Sequence, residues 1–349
     1  ITPESLEALL TLRGPELPTL LANLHYFVID EMHCFIGSER GRQLQSLMHR
    51  LEVALGRFIP RIGLSATLGD MSLAAQFLRP GKGDSVQFVN PSSHDTDLKV
   101  QLRGYRKTGA DWETMKTGAM DSWRNELEIS QHLFQKLRGT RNLIFMNGRG
   151  NVEKYADLLR RLSEKHQVPN EFWPHHGSLS KELREEAEAI LRSDRPSNLV
   201  CTTTLEMGID VGAVLSIAQV GAPMSVASTR QRLGRSGRRA GDAAIARFYI
   251  TVPDIDADLA PQDRLHSELV QAISILNLLL EGWCEPPIVG KLHLSTLIQQ
   301  LLSLIAQYGG VSAGSAWQVL CKTGPFQSVD QAMFMKLLRC LGQQELIQQ

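Results

Sequence analysis

The apolar positions fall into two periods that take turns along most of the chain. Leu6, Leu9 and Leu10 recur at helical spacing behind Thr2, which is placed to cap the helix. Leu44, Leu47, Met48 and Leu51 mark a second helix over 43–56. Between and after them come short, almost wholly apolar runs: 26–29, then 61–64 stopping at Ser65-Ala66-Thr67, and 86–89 ending at Asn90-Pro91. Such runs suit strands buried on both faces, and their alternation with helices predicts a parallel sheet. The pattern weakens from 91 to about 122, where an extended strand (98–103) is expected to lead into a linker. It then resumes with helix 123–138, strand 141–146, helix 151–165, a strand near 172, helix 180–192 and strands at 198–203, 214–220 and 245–252. After Pro253 the period is helical again over 263–281 and 295–308, with two shorter helices near 312–321 and 330–342. The expected fold class is α/β. The expected organisation is a first sheet domain over 1–95, a linker over 96–122, a second over 123–253 and a helical segment over 254–349.

Two stretches carry chemistry. The run Tyr26-Phe27-Val28-Ile29 feeds directly into Asp30-Glu31-Met32-His33. Ligands of a parallel sheet sit at the carboxyl ends of its strands. A carboxylate pair there can hold Mg²⁺ through water and orient a hydrolytic water on a terminal phosphate. Asp30 is the candidate magnesium residue and Glu31 the candidate base. A solvated acidic turn is the plainer alternative. The hydroxyls of Ser65 and Thr67, after the next short strand, can bond this acidic turn and shift as nucleotide is hydrolysed. Downstream, Gln231-Arg232-Leu233-Gly234-Arg235-Ser236-Gly237-Arg238 sets arginines three apart, so that Arg235 and Arg238 would share a helical face. Such forked donors suit a phosphoryl group gaining charge. Arg149, just past a strand, could meet a backbone phosphate.

In order and spacing these motifs resemble the superfamily 2 helicases, over residues 1 to about 252. Thr2-Pro3-Glu4 is similar to the family's nucleic-acid-contacting Thr-Pro-Glu, 30–33 to the Asp-Glu-x-His box, and Ser65-Ala66-Thr67 to the coupling motif. Residues 143–149, 175–178 and 202–210 follow in family order, except that Gly148 stands where the family often has Thr. The resemblance implies two RecA-like domains sharing one ATP and its Mg²⁺. On the nucleotide side it implies His33, Gly208 and Asp210, with Arg235 and Arg238 on the γ-phosphate and Gln231 on the nucleotide or its attacking water. Arg232 is left to support the fold or an acidic neighbour. Thr2, Arg149, Gly177, Ser178, Thr202 and Thr203 are implied to touch the nucleic-acid backbone, contacts that position a strand without reading sequence.

Residues 221–228 and Leu279-Leu280-Glu281-Gly282-Trp283-Cys284-Glu285-Pro286-Pro287 resemble the large helicase-related (Lhr) group. That group implies a winged helix after the motor, 3′-to-5′ translocation on single-stranded DNA and links to DNA repair or phage defence. An RNA-remodelling ATPase and a non-catalytic nucleic-acid-binding module remain the alternatives. Trp283 and Trp317 could stack on a base, although packing at a domain interface is the simpler reading.

Composition narrows this further. Lys+Arg and Asp+Glu balance at 37 each over 349 residues, so nucleic-acid contact must come from local clusters such as the arginines of 230–247. Five scattered cysteines without a Cys-x-x-Cys pair argue against a disulfide framework and for a reducing cytoplasm. The apolar stretches are too short or too polar to span a bilayer. Protein partners are not legible. The sequence has no Gly-x-x-x-x-Gly-Lys-[Ser/Thr] loop, and Gly81-Lys82-Gly83 cannot replace it, because no Ser/Thr follows the lysine. Since it does not begin with Met either, the chain is expected to be a fragment, inactive alone, with an incomplete first domain and an unprotected sheet edge.

Overall fold

The computed structural model describes residues 1–89, 97–107, 124–206, 212, 214–237, 243–253, 263–344 and 347. The chain divides into two compact units: Ile1–Val89 with Pro286–Gln349, and Asn90–Glu285.

In the first unit, helix α1 (Pro3–Leu12) opens as expected, the Thr2 side chain accepting the Ser5 N–H at 3.2 Å, and buries Leu6 and Leu10. After the short helix α2 (Leu17–Leu20), strands β1 (Phe27–Ile29) and β2 (Arg61–Gly63) pair in parallel, Val28 opposite Ile62. Between them lies α3 (Glu39–Leu55), capped by Ser38 and ended by Gly56, whose φ of 60° suits a residue without Cβ. Helix α4 (Met71–Leu78) begins at the Asp70 cap. Met48, Phe77 and Leu78 close a small core over one face of this pair of strands. On the other side the in-register Val28 and Ile62 are 59% and 41% exposed, an apolar surface left open. The strand expected over 86–89 does not form: a single 3₁₀ turn (Gly83–Ser85) is followed by irregular chain.

The second unit is built on a six-stranded all-parallel sheet in the order β3-β8-β7-β4-β6-β5. Its strands are β3 (Leu98–Lys107), β4 (Arg141–Met146), β5 (Phe172–His175), β6 (Ser197–Cys201), β7 (Ser216–Val220) and β8 (Ala244–Pro253). On one face, helices α5 (Arg124–Leu137) and α6 (Arg149–Lys165) pack Leu133, Phe134, Tyr155 and Leu159 against Ile144, Met146 and Tyr249. On the other, α7 (Lys181–Arg192), α8 (Val226–Leu233) and α9 (Ser267–Leu280) pack Leu191, Leu233, Ile275 and Leu276 against Leu143, Phe145 and Phe248. The strict alternation along β4 assigns each residue to one of these cores.

Two assignments fall differently from the sequence pattern. Residues 98–107 pair with β8 along its whole length, from Leu98↔Ala244 to Lys107↔Pro253, and so form the edge strand of this sheet instead of a free lead-in. Helix α9, expected with the carboxyl-terminal segment, contributes Ile275 and Leu279 to the second unit's core.

Residues 286–349 complete the first unit. Helices α10 (Leu294–Tyr308), α11 (Ala313–Trp317) and α12 (Gln331–Gln343) enclose Leu297, Leu301, Leu304, Leu320, Phe326 and Phe334. Trp317 packs on Phe334, ring centroids 5.4 Å apart. This segment is fastened to α3 through Arg50, only 1% exposed, which donates to Gln300 Oε1 at 3.0 Å, Ser303 Oγ at 2.9 Å and Gln307 Oε1 at 2.6 Å. Burial draws the Arg50 guanidinium down to a pKa of about 10, still charged at neutral pH.

Candidate functional site

In the first unit the candidate residues gather at the carboxyl ends of β1 and β2, which the parallel register brings level. Asp30 follows β1 directly and is exposed, its Oδ1 accepting the Glu31 N–H at 2.9 Å. Glu31 adopts φ 48°, ψ 44°, the left-handed conformation that a non-glycine residue takes only where its surroundings enforce it. The chain thereby turns sharply into a 3₁₀ turn (Met32–Cys34), and the Met32 N–H is tied to Leu64 O at 2.9 Å. His33 Nδ1 then lies 2.8 Å from Ser65 Oγ and 3.5 Å from Glu31 Oε2. Burial holds the His33 imidazole below its ordinary pKa, opposed by the charges of Glu31 and Asp30. Thr67 is 3% exposed, and its hydroxyl has no hydrogen-bond partner among the described residues. The turn after β2 is thus bonded to the acidic turn after β1 and carries one idle buried hydroxyl.

Exposed carboxylate oxygens here fit a hard, hydrated cation such as Mg²⁺. That ion takes one or two protein carboxylates and completes its shell with water and substrate phosphates. Among the described residues no group of three or more His, Cys, Asp or Glu forms an all-protein metal cage. Thr2 is spent as a helix cap, and Glu4 beside it pairs with Arg40 at 2.8 Å, which pulls its carboxyl down to about 2.

The second unit presents its candidates at the carboxyl ends of β4, β5 and β6. Arg149 opens α6, and its guanidinium donates to Ser178 Oγ at 2.8 Å, so two residues singled out separately from the sequence meet on the surface. Gly177 and Ser178 are both exposed. The Ser178 N–H is turned to His176 Nδ1 at 3.3 Å, and His176 Nε2 is 2.6 Å from Glu153 of α6. The Ser178 N–H is therefore engaged within the turn, while its hydroxyl lies beside a guanidinium. Thr202 follows β6 with its N–H on His175 O at 3.4 Å, and Thr203 begins a 3₁₀ turn. His175, 1% exposed, bridges Thr204 Oγ1 (3.1 Å) and Glu188 (3.2 Å) and fixes this turn from below.

The arginine segment departs from its expected form. Helix α8 stops at Leu233. Gly234 and then Gly237, at φ 69°, carry the chain out of the helix, and Ser236 bridges to Val214. A Cβ at Gly237 would lie 2.8 Å from Ala244 N, so glycine is required there. Arg235 consequently lies beyond the helix, 7% exposed, with its guanidinium on Glu206 O. Gln231, half-buried on the last turn of α8, keeps its place. Arg238, Gly208 and Asp210 lie outside the described residues.

Arg232 does support an acidic neighbour. It is 2% exposed, donates from Nε to Glu206 Oε1 at 2.8 Å, also binds Gln219, and lies 4.7 Å over the Phe145 ring. Glu206 further accepts the Ser228 hydroxyl at 2.9 Å, and Gln219 receives support from Asn147. A continuous hydrogen-bonded network, buried at Gln219, Arg232 and Arg235, thus runs from the exit of β4 to Arg235.

Sequence reasoning passed over two members of this site. One is Glu206, an isolated acid whose burial nothing local reveals. The other is Glu285, whose carboxylate takes the Val226 and Ala227 N–H groups at 2.7 and 2.9 Å. Those are free donors at the first turn of α8, where a negative charge also suits the helix dipole. Nearby, Arg230 reaches the carbonyl of Trp283 at 3.4 Å, so the Trp-Cys-Glu segment clips both ends of the arginine helix.

The DEAD/DEAH box helicase model matches residues 1–74, and the helicase conserved C-terminal domain model matches 125–240. The Lhr helicase/uracil glycosylase of Escherichia coli (strain K12) is 30% identical over 91% of this chain and 22% of its own length. The ATP-dependent helicase Lhr-Core protein 2 of Thermococcus barophilus is 28% identical over 98% of the chain and 37% of its own length. The chain therefore spans between about a fifth and two fifths of these relatives. Among solved structures, Mycobacterium smegmatis helicase Lhr bound to ssDNA and AMP-PNP superposes with a TM-score of 0.73 at 26% identity, covering 96% of this chain and 40% of that one.

Proposed function

The chain belongs to the DEAD/DEAH-box helicases of superfamily 2 and is similar to their Lhr group, and from that premise we propose that it is the motor part of an ATP-dependent translocase on single-stranded DNA. Movement is 3′ to 5′. Asp30 would hold hydrated Mg²⁺, which would offset phosphate charge, and Glu31 would orient the attacking water. His33, bonded to Ser65, ties the acidic turn to the Ser65–Thr67 turn. Arg235 and Arg238 meet the γ-phosphate, with Gln231, Gly208 and Asp210 on the nucleotide. Arg149, Ser178, Gly177, Thr202, Thr203 and Thr2 follow the backbone of the strand. The carboxyl-terminal helices act as a winged-helix-like segment, and the setting is cytoplasmic DNA repair.

The observation that carries this reading is the 2.8 Å contact between His33 and Ser65, because it joins the two motifs whose chemistry hydrolysis would have to link. RNA remodelling is the second reading. Arg149 and Ser178, which accept any phosphate backbone, leave it open.

Lacking a phosphate-binding loop, the 349-residue chain binds nucleic acid but turns over no ATP. Anisotropy with DNA and RNA oligonucleotides at one fixed salt concentration, alongside phosphate release, tests this. Tighter DNA binding without turnover is expected. Preference for RNA would replace DNA as substrate, and robust DNA-stimulated turnover by this chain would defeat the assignment of inactivity.

A further inference from the structure

Away from these motifs, on the α5 face of the second unit, four cations converge without a carboxylate among them. Lys99 and Arg103 lie on the same side of edge strand β3, two places either side of Gln101. Arg247 of β8 stands directly opposite Gln101 in the register. Lys136 approaches from the last turn of α5. At their centre His132 contacts the Tyr249 hydroxyl at 3.1 Å. Its imidazole is held below its ordinary pKa by burial and then by Arg103, Lys136 and Arg247. Lys99, Arg103 and Lys136 are exposed, and Arg247 is half-buried. Among the described residues none of the four is in an ion pair. Arg103 lies 5.7 Å from the Tyr105 ring centroid, and the neighbouring Glu128 is taken by Arg124 at 3.3 Å.

Holding like charges together on a sheet costs stability. Protection of the β3 edge against aggregation explains Lys99 and Arg103. It does not explain Arg247, one strand further in, or Lys136 on a helix. The chain as a whole is neutral, so the cluster is not part of a general basic field. The aromatic rings beneath it, Tyr105 and Tyr249, are buried, so they give the surface no exposed aromatic anchor. That suits a repeating backbone phosphate better than an acidic peptide, which needs an anchor to bind specifically.

We propose that Lys99, Arg103, Lys136 and Arg247 form a second backbone-binding surface for single-stranded nucleic acid. It lies three strands, about 14 Å, across the sheet from the β4 exit that leads to Arg149. The proposal rests on the nucleic-acid reading above and extends the path of the strand along the β3 edge.

The test is an anisotropy titration of the 349-residue chain with a fluorescein-labelled single-stranded oligodeoxynucleotide over a range of salt. Each lost phosphate contact lowers the slope of log K against log salt by about 0.7 for single strands. The Arg103→Gln/Lys136→Gln variant should therefore lose about 1.4 in slope. A Lys99→Gln/Lys136→Gln variant, checked by its melting curve, repeats the measurement should the first misfold. An unchanged slope in a folded variant, with Arg149→Ala still weakening binding, overturns the second surface alone. No binding by the wild-type chain overturns both readings. A glutamate-rich peptide held as tightly through the same residues overturns the choice of nucleic acid.

Discussion

Asp30 stands exposed and Glu31 half-buried at the end of a three-residue strand in a two-stranded sheet, whereas Arg232 and Arg235 are sealed against a six-stranded one. The acidic turn owes its shape to backbone: one strained residue, one bond to Leu64 and one contact to Ser65. The arginine segment owes its shape to side chains: Glu206, Gln219 and Glu285 each fasten it from a different part of the chain, and its own Ser228 donates to Glu206. Groups of opposite charge are prepared in opposite ways. The exposed carboxylates stay hydrated and cost little to hold. The guanidinium groups are desolvated, and so must be paired before any phosphate arrives.

The sharpest way to break this contrast is to remove one charge from each region. Arg232→Met leaves Glu206 and Gln219 buried without their donor, a loss of about 3–5 kcal/mol. Asp30→Asn, at an exposed position, should stay within about 0.5 kcal/mol. Urea unfolding followed by hydrogen exchange in β4 and α3 separates the two effects. Equal losses would mean that the regions are built alike.

Acid should act next, and its effect can be followed in the first unit. His33 and His49 both lie there, and burial is the first cause holding each below its ordinary pKa. An unfolded histidine then binds its proton more readily than the folded one. Between about 6.5 and the lower folded value the unfolded state therefore carries more protons, and stability rises with pH. The contribution is complete above that window and is lost as pH falls through it. Exchange protection in α3 should drop between pH 7.5 and 5, less so in His33→Gln. Protection unchanged across that range would show that the His33 ring is not held neutral.

How much of this contrast could be read from residues follows the same division. The acidic turn, the Ser65–Thr67 turn and Arg149 are local signals, set by short runs directly after apolar strands, and the structure places them at strand ends. The network around Arg232 is made of pairs far apart in sequence. Glu206 in a threonine-rich turn and Glu285 before two prolines carry no local sign of the partners they meet. The spacing of Arg235 and Arg238 suggested a continued helix because period alone does not register that Gly237 must approach Ala244. Strand β3 was legible as a strand, but its membership of the second sheet depends on pairing with β8, far downstream.

The smallest effect bears most closely on what the acidic region is for. Thr67 buries a hydroxyl that bonds nothing among the described residues, so Thr67→Val removes a desolvated polar group without breaking a contact. Stability should hold or rise by up to about 1 kcal/mol. Ser65, already bonded to His33, should behave differently: Ser65→Ala strips that contact and lowers stability by about 1 kcal/mol. Urea midpoints of the two variants decide the matter. If Thr67→Val proved the more damaging, its hydroxyl would be serving the fold.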